Sequence, residues 1–246
     1  MNAPLPPRLR LVSFNIAHGR GRDGRVDLRR TAAAVRALDA DILCLQEVDR
    51  HYGPRSGWAD QPAELAALLG RQVSYAAALR LPPGGAGGAT REYGNAVLTR
   101  HPTESSATLR LPGRAGAEPR ALLLVRLRGG PVIGCVHLQH NSPAGRAAQV
   151  GALLAAMPTD GPVLLAGDFN AGPGAGELDP IRTRLIDCWS PVGRGRGFTF
   201  PSRWPRRRLD YVFASPSVTP VRATVLRSDA SDHRPLVVDV LLPPAG

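Results

Sequence analysis

Lysine is missing altogether from this sequence of 246 residues: all 31 basic side chains are arginine. The formal net charge of +11 would otherwise point to nucleic acid or an anionic membrane surface, because clustered cations attract phosphates. A chain that uses only arginine and is rich in Ala, Gly and Pro carries a compositional bias that accounts for much of this charge, so charge by itself selects no partner. Long apolar runs are missing too. No stretch approaches the roughly 20 residues of a membrane span, and MNAPLPPRLRLVSFNI at the start holds no apolar segment of signal-peptide length, so cytoplasmic residence is expected. Cysteine is scarce. Cys44, Cys135 and Cys188 lie far apart, the first two inside ILCLQ and VIGCVHL, which reads as buried free thiols. Trp58, Trp189 and Trp204 are isolated and suggest no platform for stacking bases. Nor is there an evident linker: the one low-complexity stretch, LPPGGAGGA from Leu81 to Ala89, is short and reads as a loop. One domain over residues 9–243, after an extension of residues 1–8, is the expected organisation.

What is present alternates between strand and helix signals. Leu9 to Ile16 reads as a strand ending in Asn15, and Val26 to Leu38 places Leu28, Ala32, Val35 and Leu38 at helical spacing. Asp41 to Gln46 reads as a second strand that delivers Glu47 to its far end. A short helix is expected near Pro62 to Leu69, with strands near Gln72 to Leu79, Asn95 to Leu98, Ala121 to Leu127 and Val132 to Leu138. Ser142 as cap and Pro143 at the first helical position start a further helix, whose apolar stripe is Val150, Leu153, Leu154 and Met157. Val163 to Ala166, Arg208 to Ala214, Val218 to Leu226 and Pro235 to Leu242 read as later strands. The pattern fits a layered α/β architecture; that two sheets pack together under helices is not fixed by pattern alone.

Polar side chains gather where apolar strands end: Asn15 after LVSF, Glu47 after ILCLQ, His137 after VIGCV, Asp168 and Asn170 after VLLAG. Strand ends hold functional groups on a rigid scaffold, whereas inside a strand the same groups would need buried partners. Singly, each has a plain structural reading: Asn15 stabilising a turn, Glu47 pairing with an arginine, Asp168 capping the next segment. Together, carboxylates and histidines at successive strand ends make a hard-cation site with acid–base groups beside it.

SFNI at 13–16, LQEVD at 45–49, YGNAVLTRHP at 93–102, GDFNAGP at 167–173, RLDYVF at 208–213 and SDHRPL at 231–236 occur in that order. On these motifs the chain resembles the endonuclease/exonuclease/phosphatase superfamily of DNase I-like, metal-dependent phosphoesterases, from about residue 9 to 242. The resemblance implies a four-layered α/β sandwich, two packed mixed β-sheets flanked by helices, with a Mg²⁺ or Mn²⁺ requirement and a phosphate-ester substrate. It also implies roles. Glu47 holds the metal with Asn15 and Asp232 nearby, and Asp168 orients or deprotonates the attacking water. Asn170 holds a phosphate oxygen, and His233, oriented by Asp210, stabilises charge on the phosphate. His137 serves as general acid or phosphate ligand. Apart from the resemblance, Arg91 and Asn95 are candidates to reach the substrate phosphate, although Asn95 reads equally as a structural turn residue.

LQEVD and GDFN differ from the motifs usual in abasic-site endonucleases, which disfavours base-excision repair. LQEVD, YGNAVLTRHP, TFP at 199–201 and RLDYVF resemble short bacterial members linked with phosphodiester or phospholipid-headgroup hydrolysis. The expected function is therefore metal-dependent phosphodiester or other phosphoester hydrolysis by a monomer, with a DNA or RNA nuclease as the alternative and an inactive phosphate-binding module as a third reading. Nucleic acid and an anionic lipid headgroup both remain candidate partners. Arg206-Arg207-Arg208 reads either as a phosphate grip or as a solvated run, and His18, His51, His101 and His140 read as non-catalytic.

Overall fold

The computed structural model describes residues 7–85 and 87–244. Two six-stranded mixed sheets form its centre. The first contains β1 (Arg8–Asn15), β2 (Ile42–Arg50), β3 (Gln72–Leu81), β4 (Arg91–Thr99), β11 (Thr219–Val225) and β12 (Leu236–Leu241), in the order β11-β12-β1-β2-β4-β3. The second contains β5 (Thr103–Arg110), β6 (Ala121–Leu127), β7 (Val132–His137), β8 (Val163–Asp168), β9 (Ile186–Asp187) and β10 (Asp210–Ala214), in the order β5-β6-β7-β8-β10-β9. Of the expected extension, residues 1–6 lie outside the described residues; β1 already begins at Arg8. Among the described residues, no helix is long and apolar enough to cross a membrane.

Each sheet has one parallel pair at its heart. β1 and β2 pair in parallel across helix α1 (Leu28–Arg36), and β7 and β8 pair in parallel across helix α3 (Pro143–Ala156). A parallel connection needs a crossover, and a helix supplies it. Asp27 caps α1 by accepting from Arg30 N, and Ser142 caps α3 by accepting from Gly145 N at 3.0 Å. Helix α2 (Gln61–Leu69) joins α1 over the first sheet, and α4 (Asp179–Arg184) joins α3 over the second.

Strand parity sorts the core into layers. Leu9, Leu11, Ile42, Cys44, Ile133, Cys135, Leu164, Ala166, Val212 and Ala214 meet between the sheets. Val12, Phe14, Leu43 and Leu45 face α1 and α2, while Val136, Leu165, Tyr211 and Phe213 face α3 and α4. Side chains alternate faces with period two, so the four layers follow. All three cysteines are free and buried.

Several elements differ from the sequence expectation. β5, reading TESSATLR, is an exposed edge strand without an apolar face, so no period-two signal marks it. The short elements β9, α4 and α5 (Trp189–Val192) were likewise unsignalled. β2 does not end before Glu47: it continues to Arg50, with a bulge between Leu45 and Val48 opposite Ala96 and Gly94. Arg208 is neither a phosphate grip nor part of a solvated run, being buried in an ion pair with Asp187 at 2.5 Å.

Gly167 lets β8 approach β7 immediately before Asp168. A Cβ there would run into the carbonyl oxygen of Val136, which belongs to the strand backbone and cannot swing aside. Gly167→Ala is expected to cost about 1–3 kcal/mol as an overpacked position, read as a lowered urea midpoint; an unchanged midpoint would show that the two strands separate freely.

Candidate active site

The inner-face parity of the strands runs on into polar residues at one edge of the sandwich. On β1 the series Leu9, Leu11, Ser13 ends in Asn15; on β7 Ile133 and Cys135 lead to His137; on β8 Leu164 and Ala166 lead to Asp168. On β10, running the other way, Val212 and Ala214 follow Asp210. His137 and Asp168 are register partners in the parallel pair, and Asp168 is the antiparallel partner of Asp210. The same alternation that fills the interior therefore places four polar groups side by side where the sheets part. All four are buried.

Glu47 reaches this edge by a different route. Strict alternation would leave it on the helix-covered face with Leu43 and Leu45. The bulge advances the phase by one, so Val48 takes the apolar outer position and Glu47, at φ 57°, turns toward Asn15. A non-glycine residue in the left-handed region is uncommon and clusters at functional sites.

Asn15 links two carboxylates. Its Nδ2 donates to Glu47 Oε1 at 2.9 Å and to Asp168 Oδ2 at 3.2 Å, while its Oδ1 accepts from Ala17 N at 3.0 Å. Asn170, also left-handed at φ 52°, folds back: its backbone N–H donates to Asp168 Oδ1 at 2.9 Å and its Nδ2 to Leu138 O at 3.0 Å. The second amide hydrogen faces His137 Nε2 at 3.0 Å. Because a carbonyl only accepts, Leu138 fixes which amide atom is nitrogen; His137 Nε2 is then the acceptor and its proton sits on Nδ1. Burial, aided by the charge of Arg120, holds the His137 pKa well below the usual range, so the ring is neutral.

His233 has the opposite character. Its Nδ1 donates to Asp210 Oδ2 at 2.8 Å and its Nε2 lies 3.6 Å from Asp168 Oδ2. Burial alone would depress its pKa, but Asp210 and Asp168 together outweigh burial and raise it to about 10. Asp168 is pushed up to about 7, chiefly by burial and further by Asp210, against the pull of His233. The ligand atoms of Asp168, Asp210 and His233 lie within 4.8 Å of one another, a grouping that could hold a cation. With the imidazolium already between the carboxylates, that place carries a positive charge without a metal. Glu47 and the exposed Asp232 line one cleft, and burial, with Asp232 adding, raises the Glu47 pKa. Neither is in a salt bridge among the described residues.

Raised above the ordinary value of about 6.5, the His233 pKa contributes stability that is complete below that pH and fades as pH rises through about 10. Ring nitrogen NMR shifts of His233 are therefore expected to stay those of imidazolium to pH 9, and Asp210→Asn to lower the titration midpoint. A wild-type titration near 6.5 would refute the pairing.

The remaining expected residues stand apart or serve the structure. Asn95 pairs with Ala76 of β3 beside the bulge of β2, but its Nδ2 donates across the sheets to Ala121 O at 2.9 Å. Arg91 lies further along β4, with Nε donating to Tyr52 O at 2.7 Å and its guanidinium near the Tyr52 and Trp58 rings. Sequence reasoning missed Ser231 and Thr199. Ser231 Oγ donates to Asn15 O at 2.7 Å and accepts from His233 N, tying the SDH turn to β1; Thr199 Oγ1 accepts from Leu209 N and Asp210 N. Both lie inside motifs already visible, SDHRPL and TFP, but nothing local tells a hydroxyl that pins a turn from one that faces solvent.

The profile of the Endonuclease/Exonuclease/phosphatase family matches residues 12–233. The Escherichia coli (strain K12) protein YbhP is 31% identical over 231 residues, covering 85% of this chain and 86% of that protein. A solved endonuclease/exonuclease/phosphatase from Beutenbergia cavernae DSM 12333 superposes with a TM-score of 0.81 at 29% identity, covering 97% of this chain and 72% of that one. A mannosyl-6-phosphatase of Bacteroides thetaiotaomicron shares the fold at 19% identity with a TM-score of 0.73, covering 95% and 100% of the two chains.

Proposed function

The chain belongs to the endonuclease/exonuclease/phosphatase family, and from that premise we propose that it hydrolyses a phosphodiester, or a related phosphate ester, by attack of an activated water, with Mg²⁺ or Mn²⁺. The observation that carries this reading is Asp168 itself: a buried carboxylate raised to about 7 and surrounded by Asn15, His137, Asn170 and His233. A base poised near the working pH takes a proton from water most effectively.

The donor set fits a hard divalent cation. Among the described residues, Glu47 and Asp232 offer oxygens in one cleft without a salt-bridge partner, and Asp210 keeps Oδ1 buried and unpartnered. Such cations take oxygen ligands and need only one or two carboxylates. Glu47 and Asp232 would hold the ion, while Asn15, its NH₂ group turned to Glu47 and Asp168, aligns the two carboxylates. A divalent ion bound there would supply positive charge to neutralise a phosphoryl oxygen. The chain's own groups do the rest. Asp168 orients and deprotonates water, and the His233 imidazolium held by Asp210 stabilises the developing negative charge, while Asn170 positions Asp168 through its backbone N–H and neutral His137 through its amide.

The test is hydrolysis of bis-p-nitrophenyl phosphate, plasmid DNA, RNA and phospholipids with Mg²⁺, Mn²⁺ or EDTA. Metal-dependent release of product is expected, and none from any substrate would sink the reading. The nuclease alternative requires binding that weakens steeply with salt; salt-insensitive binding removes it.

A further inference from the structure

A cleft of about 480 Å³ opens beside Glu47 and Asp232, between the turn after β1 and the loop that begins at Pro201. Ala17, His18, Arg20 and Arg22 form one wall; Pro201, Ser202 and Arg203 form the other. We infer that Arg20 and Arg203 form a subsite for a second anionic group, a phosphate or carboxylate, on the same small molecule whose phosphate ester is cleaved. The inference rests on the hydrolytic reading above and names the class of substrate it serves.

Both walls are pinned to the active site. Ile16 N donates to Gln46 O, Gly19 N to Ile16 O and Arg20 N to Ala17 O, which curls the chain tightly after Asn15. Ser202 N donates to Asp232 O at 2.6 Å and Ser202 Oγ to Ser231 O at 2.8 Å, so the loop carrying Arg203 is fastened to the turn carrying His233. The backbone at both arginines is thus fixed before binding, which leaves only their side chains to be ordered.

The three arginines of the cleft differ in how they are used. Arg22 is engaged by Asp229. Arg20 and Arg203 are exposed and make no side-chain hydrogen bond or salt bridge among the described residues, although Glu47 and Asp232 share the cleft with them. His18 lines the same wall and has a buried Nδ1 without a partner among the described residues. The cleft thus joins two carboxylates suited to a cation with two guanidiniums suited to an anion. A guanidinium fork binds phosphate or carboxylate bidentately. The volume is that of a small-molecule site.

The test is calorimetric titration of the full chain with Mg²⁺, comparing propane-1,3-bisphosphonate with propylphosphonate. Wild type is expected to bind the bisphosphonate about tenfold tighter at one site, the scale of two charge-assisted pairs at a half-open surface. Arg20→Gln with Arg203→Gln is expected to abolish that preference. Arg194→Gln with Arg222→Gln, which removes the same charge elsewhere, is expected to keep it. Equal affinity for the two ligands in wild type, loss of preference in both double variants, or two independent propylphosphonate sites showing capture of a free anion would each overturn the subsite. No turnover is needed, so a protein that shows the preference but hydrolyses nothing would overturn the hydrolytic reading instead.

Discussion

Asp168→Asn is expected to lower kcat for phosphodiester hydrolysis by about 10²–10⁴-fold, the usual worth of a general base, in a protein that stays folded and is more stable above pH 7. The amide keeps the shape of the carboxylate and still faces Asn15 and His233, so packing is preserved. What it loses is a group able to take a proton. The stability claim follows from the sign of the shift. Asp168 is raised to about 7 in the fold, chiefly by burial, above the ordinary carboxylate value of about 3.9. Between those pH values the folded chain holds a proton that the unfolded chain has released, so Asp168 makes stability fall as pH climbs through this window. Thermal melts of wild type and variant from pH 4 to 9 should therefore converge at the acid end and separate as pH rises. An active Asp168→Asn protein would remove Asp168 from the mechanism; parallel melting curves would remove the burial argument.

Glu47→Ala is expected to raise the metal concentration for half-maximal activity by on the order of 10²-fold, with almost no turnover at millimolar Mg²⁺. Asp232 is left as the remaining carboxylate of the cleft, and one exposed carboxylate holds a hard cation weakly. Mn²⁺ binding followed by electron paramagnetic resonance measures this without turnover. The Glu47 pKa is raised by burial and by Asp232, so the carboxylate already carries an unfavourable solvation term, and the folded protein should tolerate its loss. If Mn²⁺ affinity is unchanged in Glu47→Ala, the cation sits elsewhere, and the group of Asp168, Asp210 and His233 becomes its place.

Glu47 also marks where sequence reading stops. ILCL is an unbroken apolar run followed by Gln46 and Glu47, and a strand ending there is the simplest reading. The strand in fact continues, and only its pairing with β4 reveals the bulge that turns Glu47 to the rim. Asn95 shows the same limit. YGNAVL is visible as a motif, but the bond from Asn95 to Ala121 joins strands of different sheets, and no local pattern encodes which sheet lies opposite. Arg208 looked like one of three equivalent basic residues until Asp187, 21 positions away in the chain, buried it.

The apolar runs of β1, β7, β8 and β10 are written in the sequence, and so are the polar residues that end or begin them. Alternation is a property of the single strand, set by backbone geometry, and the N-cap residues Asp27 and Ser142 act within a few positions of themselves. These local rules sufficed to assign the α/β class and most of the polar residues at the rim. The charge states belonged to the tertiary structure. His137 is neutral and His233 charged although both are buried histidines, because burial and the charge of Arg120 act on one, while the other is held by Asp210 and Asp168 brought in on β10 and β8. Such differences arise from desolvation and from partners distant in sequence, and these exist only once the two sheets have packed.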